Sequence, residues 1–106
     1  MNNGFYSSLM MKIGEIGLAD GCPADSQSPV PPDTISFDMT GAVSCCSYDG
    51  NTCTRPSCLT TTYDQALEKC VANGMRLCTS TELAENKCCN KGCDFDYKLN
   101  WYNDKG

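Results

Sequence analysis

The hydrophobic and polar positions of the chain fall into helical order most clearly between Thr62 and Leu83, TYDQALEKCVANGMRLCTSTEL. Tyr63, Ala66, Leu67, Cys70 and Val71 recur at i, i+3, i+4, i+7 and i+8, which predicts one buried stripe on a helix. Thr62 with Gln65 three residues later is a capping box, giving the first unpaired amides of that helix their acceptors. Asn73-Gly74 supplies a left-handed stop. Met75 to Cys78 then reads as a short extended run, and Thr79 with Glu82 opens a second, shorter helix by the same capping logic.

Alternation with a period of two predicts the strands. Thr34 to Thr40 sends Ile35, Phe37 and Met39 to one side and Ser36 and Asp38 to the other. Val43 to Tyr48 is a second extended run, returned by an Asp49-Gly50 turn into Asn51-Thr52-Cys53. Near the C-terminus Phe95, Tyr97, Leu99 and Trp101 alternate with Asp94, Asp96, Lys98 and Asn100, an aromatic strand that should cover the central helix and bury Trp101. At the other end, residues 1–20 carry Phe5, Leu9, Ile13 and Ile16 at helical spacing, broken by Gly14 and Gly17. That arm would either dock on a partner through Phe5, Leu9 and Ile13 or cover the domain's own core. Residues 21–33, with Pro29, Pro31, Pro32 and Cys22, read as a semi-rigid polyproline spacer. The expected architecture is α+β: two short helices packed on a small antiparallel sheet in residues 34–106, preceded by the spacer and an extended N-terminal arm.

Cysteine usage changes this picture most. Ten of 106 residues are cysteine and none is histidine. The ten (Cys22, Cys45, Cys46, Cys53, Cys58, Cys70, Cys78, Cys88, Cys89 and Cys93) include two adjacent pairs and no C-x-x-C, which points to a disulfide scaffold rather than a zinc cluster. Neighbouring cysteines on an extended segment point to opposite faces, so each is expected to pair elsewhere rather than with its neighbour. The compartment implied is extracellular, a cell surface or an oxidising lumen. Residues 1–20 lack the leading charge and unbroken apolar stretch of a signal peptide, so a removed leader is expected. No apolar run is long enough to span a bilayer. The net charge of −5 opposes nucleic acid and acidic polymers as partners.

The chemistry the chain lacks is equally telling. Without histidine there is no Ser-His or Cys-His nucleophile pair, and without C-x-x-C no ordinary redox motif, so no enzyme and no cofactor are expected. Asp94, Asp96, Asn100, Asn103 and Asp104 bring oxygen donors together that a hard cation could use, but the polar face of a strand explains them as well and is preferred; no metal site is predicted. Asp49-Gly50-Asn51 is a turn, too poor in carboxylates for calcium. Neither cysteine-type sequon, Asn51-Thr52-Cys53 or Asn86-Lys87-Cys88, is expected to carry a glycan.

Val43 to Ser47, Thr62 to Leu83 and Cys88 to Trp101 together follow the pattern V-x-C-C-S, T-Y-x-x-A-x-x-x-C-x-x-x-G-x-R-L-C-T-x-x-E-L and C-C-x-x-G-C-x-F-D-x-x-L-x-W. In this the chain resembles a cysteine-rich module of secreted and cell-surface proteins of algae and other protists, over roughly residues 41–101. More loosely, the helix, G-x-R-L, E-L and aromatic strand resemble the front of a Link or C-type-lectin-like domain, which implies an α+β fold and glycan binding. Two features depart from that likeness: no Glu-Pro-Asn or Gln-Pro-Asp loop is present, and Tyr102 interrupts the Trp-Asn-Asp sequence. The expectation is a non-catalytic binding module for a neutral glycan or a protein, with Tyr97, Trp101 and Tyr102 as a stacking platform. The alternative is a small structural subunit of a larger assembly, held by its N-terminal arm.

Overall fold

A computed structural model describes residues 15–25 and 28–105. The element order is β1 (Ile16–Asp20), β2 (Cys45–Cys46), β3 (Cys53–Thr54), α1 (Tyr63–Ala72), β4 (Arg76–Leu77), α2 (Ser80–Ala84), a 3-10 turn (Phe95–Tyr97) and β5 (Leu99–Asn103). The strands form two small antiparallel sheets, β1-β5 and β3-β2-β4. The α+β class holds.

Both capping boxes form. Thr62 and Gln65 exchange bonds at the start of α1, and Thr79 and Glu82 do so at the start of α2. Gly74, at φ 71°, ends the first helix. The buried stripe of α1 is Tyr63, Ala66 and Cys70, with Leu67 partly buried. Val71 was expected in that stripe and is instead 61% exposed. The helix is covered from one side only, and position i+8 has already rotated past the sheet's edge.

Three further expectations are corrected. Ile16–Asp20, within the stretch read as a helical arm, is a strand paired along its length with β5, Leu18 opposite Trp101. Gly17 weakens a helix, and here it lets the strand pass beneath Tyr102, whose ring a Cβ would strike. Phe5, Leu9 and Ile13 lie outside the described residues. Thr34 to Thr40 is not a strand: the chain turns at Ser36–Met39, where Met39 N–H donates to Ser36 O (3.2 Å) and Ser36 Oγ to Asp38 Oδ1 (2.6 Å). Ile35 is buried as expected, but Phe37 on the same predicted face is 48% exposed. Local Ser/Asp bonding competes with the ladder that alternation alone would favour. Finally, Phe95 to Tyr97 coils as a 3-10 turn before β5 begins at Leu99.

All ten cysteines are paired: Cys22–Cys89, Cys45–Cys70, Cys46–Cys78, Cys53–Cys88 and Cys58–Cys93. The adjacent cysteines do diverge, and the divergence organises the body. From β2, Cys45 points to a core of Leu18, Ile35, Val43, Tyr63, Ala66, Cys70, Leu77 and Trp101. Cys46 points the other way, to Cys53, Cys78, Leu83 and Cys88. The β1-β5 ribbon splits likewise, Leu18 and Trp101 facing the first core while Ala19 and Tyr102 pack on the second. Sulfur replaces apolar volume in the second core, where Leu83 is the one large buried aliphatic side chain among the described residues. Each bridge stabilises by about 2–4 kcal/mol, mainly by restricting the unfolded chain. Scaffolds of this kind persist in oxidising or extracellular surroundings. Among the described residues no helix is long and apolar enough to cross a membrane.

Candidate functional site

The aromatic platform expected from the sequence does not assemble. Trp101 is 0% exposed: its ring meets Tyr63 edge-on at 5.7 Å, and Nε1–H donates to Thr61 O at 2.8 Å. Tyr102, on the opposite face of β5, packs against the sulfur-rich core. Tyr97 alone of the three stands well out, 46% exposed on the 3-10 turn. Period-two alternation places Trp101 and Tyr102 on different faces of a strand whose two sides are both covered.

The oxygen-rich C-terminal segment is likewise occupied by the protein itself. Asp96 Oδ1 receives Arg55 Nη1–H at 2.7 Å, and its carboxylate also accepts from Asn90 N–H. Asn100 accepts from Ser44 Oγ and donates to Phe95 O and Lys98 O. Arg55 completes the network by donating to Ser44 Oγ at 3.1 Å and Gly21 O at 3.3 Å, its guanidinium 5.9 Å from the centre of the Phe95 ring. Asn103 bonds Tyr63 Oη, and Asp104 accepts from Ser80 N–H and Oγ. These bonds tie the ends of β1, β2 and β5 to the loops at Arg55 and Asn90. They give the side chains of Asp96, Asn100, Asn103 and Asp104 partners within the protein.

A second ion pair sits under the Asp49-Gly50 loop. Arg76 makes a fork to Glu82, Nη1 to Oε1 at 2.8 Å and Nη2 to Oε2 at 2.9 Å. The hydrogen bonds from Arg76 hold the Glu82 carboxyl below its ordinary 4.5, with the Thr79 N–H of the capping box adding to the effect. A depressed folded value means this contribution is fully present above about pH 4.5 and is lost as pH falls through the lower folded value. Denaturant unfolding followed at pH 7 and pH 3 should therefore show a loss of stability on acidification that is smaller in Glu82→Gln than in the parent. Equal pH dependence in the two proteins would contradict the assignment.

The surface feature best shaped for contact is a groove between α1 and the loop after β3. It encloses about 600 Å³ and is lined by Pro56, Leu59, Thr61, Gln65, Glu68 and Ala72, with Lys69 and Asn73 at its helical wall. Both walls are held. The loop is stapled at Cys58 to Cys93, and at Thr61 it exchanges backbone bonds of 2.8 Å with Gly41 in both directions. The helical wall is fixed from behind by Cys45–Cys70. Leu59 stands 68% exposed at the groove. Glu68 and Lys69 offset one another, so the groove is locally neutral on an acidic protein. None of these residues was singled out from the sequence as a ligand contact. The groove joins the polar face of a helix to a loop that lacks periodicity, and contacts distant in sequence, Cys58–Cys93 and the Thr61–Gly41 pairing, bring the loop into place.

The chain matches no family model, no curated protein and no solved structure.

Proposed function

We propose that this chain is a non-catalytic binding module of a secreted, cell-surface or luminal protein, and that it takes an uncharged peptide segment of a partner protein into the α1 groove. The observation that carries the reading is the groove itself: held on both sides, neutral, and exposing Leu59 and Pro56 beside the polar side chains of Thr60, Gln65 and Asn73. Those groups suit peptide backbone and small apolar side chains. A neutral glycan suits it less, because no aromatic ring lines the groove on which a sugar could stack.

Absence of catalysis belongs to the same proposal. Every cysteine sulfur is engaged in a bridge, the chain has no histidine, and the carboxylates of Asp96 and Glu82 are held by arginines. Among the described residues that line the groove Glu68 is the one carboxylate, so the lining offers no pair of acids to share acid and base roles. The likeness to secreted algal and protist modules agrees with this setting.

Peptide display against the immobilised, oxidised protein, run beside an array of neutral glycans, tests the proposal. Peptides should be enriched whose binding weakens at least tenfold in Leu59→Asp while the disulfide-intact mass and far-UV spectrum are unchanged. Enrichment that is indifferent to Leu59→Asp moves the contact elsewhere, and binding on the glycan array alone replaces the peptide with a sugar. No binder in either format defeats the reading.

A further inference from the structure

The second core brings four sulfurs from two bridges into one cluster. Cys46 lies on β2, Cys53 opposite it on β3, Cys78 immediately beyond β4, and Cys88 in the segment after α2. All four are buried, and their sulfurs lie within 4.8 Å of one another. Across the two bridges, Cys78 Sγ is 3.5 Å from Cys88 Sγ and 3.8 Å from Cys53 Sγ. Four sulfurs about 2.3 Å from a zinc ion stand at the corners of a tetrahedron with edges of about 3.8 Å. Two of the six edges of that tetrahedron are thus already near that length, the two from Cys46 to Cys53 and Cys88 are within 4.8 Å, and the two bonded pairs have to move apart.

We infer that the reduced form of this chain holds one zinc ion through Cys46, Cys53, Cys78 and Cys88, so that this half of the body has two exclusive ways of being held together. Thiolates are the ligands zinc selects, and the chain has no imidazole to compete with them. Once these bridges are cut, Leu83 is left as the only large buried aliphatic side chain of that core among the described residues. A metal ion then supplies the crosslink that the disulfides had supplied. Passage to the oxidised state balances with a carrier disulfide as oxidant. The zinc tetrathiolate reacts with two carrier disulfides to give two protein disulfides, free Zn²⁺ and four carrier thiolates; the protein sulfurs are oxidised and the carriers reduced. The inference goes beyond the groove and does not depend on it. It makes the chain a metalloprotein wherever thiols stay reduced, and a disulfide protein after transfer to an oxidising setting.

The full chain, reduced anaerobically with a phosphine, is titrated with Co²⁺ and then with Zn²⁺. One equivalent of cobalt should be taken up with the visible bands of tetrahedral thiolate coordination, and zinc should bleach them. Alkylation should label Cys58, Cys89 and Cys93, which reach the surface, whether or not zinc is bound, and should label Cys46, Cys53, Cys78 and Cys88 in the metal-free reduced chain but not in the zinc-loaded one. The paired variant Cys53→Ser/Cys88→Ser should lose the bands, and Cys58→Ser/Cys93→Ser should keep them. Failure to take up cobalt, including by a reduced chain that unfolds, overturns the inference. So do bands that survive in the first variant or vanish in the second.

Discussion

Asp96→Ala is expected to lower the stability of the oxidised protein by about 3–5 kcal/mol, because it leaves a buried guanidinium without its counter-charge. The Arg55 side chain is 0% exposed and that of Asp96 9%, so water cannot take over the lost contact. The remaining partners of Arg55 are the neutral oxygens of Ser44, Gly92 and Gly21, and Asn90 N–H loses its acceptor as well. Replacing both ends together, Arg55→Met with Asp96→Leu, should recover much of the loss, since an apolar pair of similar volume removes the stranded charge. Urea unfolding with the bridges intact measures both variants. A drop below about 1 kcal/mol for Asp96→Ala would show that the pair is not sealed from solvent.

Trp101→Ala should be comparably severe, again about 3–5 kcal/mol, as the cost of removing a large fully enclosed side chain. The ring fills the first core between Leu18, Val43 and Tyr63, and Gly41 lies against it so closely that a Cβ there would meet both the indole and Leu18. Trp101→Phe separates volume from hydrogen bonding. Thr61 O loses the indole donor but keeps Gly41 N–H at 2.8 Å, so most of the Phe penalty should come from unfilled space. Thermal and denaturant unfolding should rank the proteins parent, Phe, Ala. A phenylalanine variant as unstable as alanine would give the lost donor the larger share.

What could be read in the chain beforehand was whatever rests on neighbouring residues. The Thr62/Gln65 and Thr79/Glu82 boxes, the Gly74 stop and the Asp49-Gly50 return each depend on a few consecutive side chains, and all formed. The divergence of Cys45 from Cys46 was legible for the same reason, since it follows from pleat alone. Elements that depend on distant partners were not. Ile16–Asp20 is a strand because β5 lies beside it, and nothing within IGLAD outweighs the helical spacing of Ile13 and Ile16. Thr34–Thr40 has good alternation but no neighbouring strand to receive its backbone, so the Ser36–Asp38 bond takes over. The candidate site failed in the same way: the burial of Trp101 was foreseen, yet it was also offered to a ligand, and one ring cannot do both. The groove is built by partners far apart in the chain, Cys58 with Cys93 and Thr61 with Gly41.

The pairing of β1 with β5 also decides how the body responds to being pulled. Ile16 sits across from Asn103, so the incoming and outgoing chain leave from the same end of one ribbon. Tension between them peels the ribbon rung by rung, as a zipper opens, instead of shearing all its bonds at once. The tear then meets Cys22–Cys89 and Cys58–Cys93, and there covalent bonds stop it. Under load the protein should lengthen easily over a short distance, as Leu18 and Trp101 are drawn out of the first core, and then stiffen abruptly.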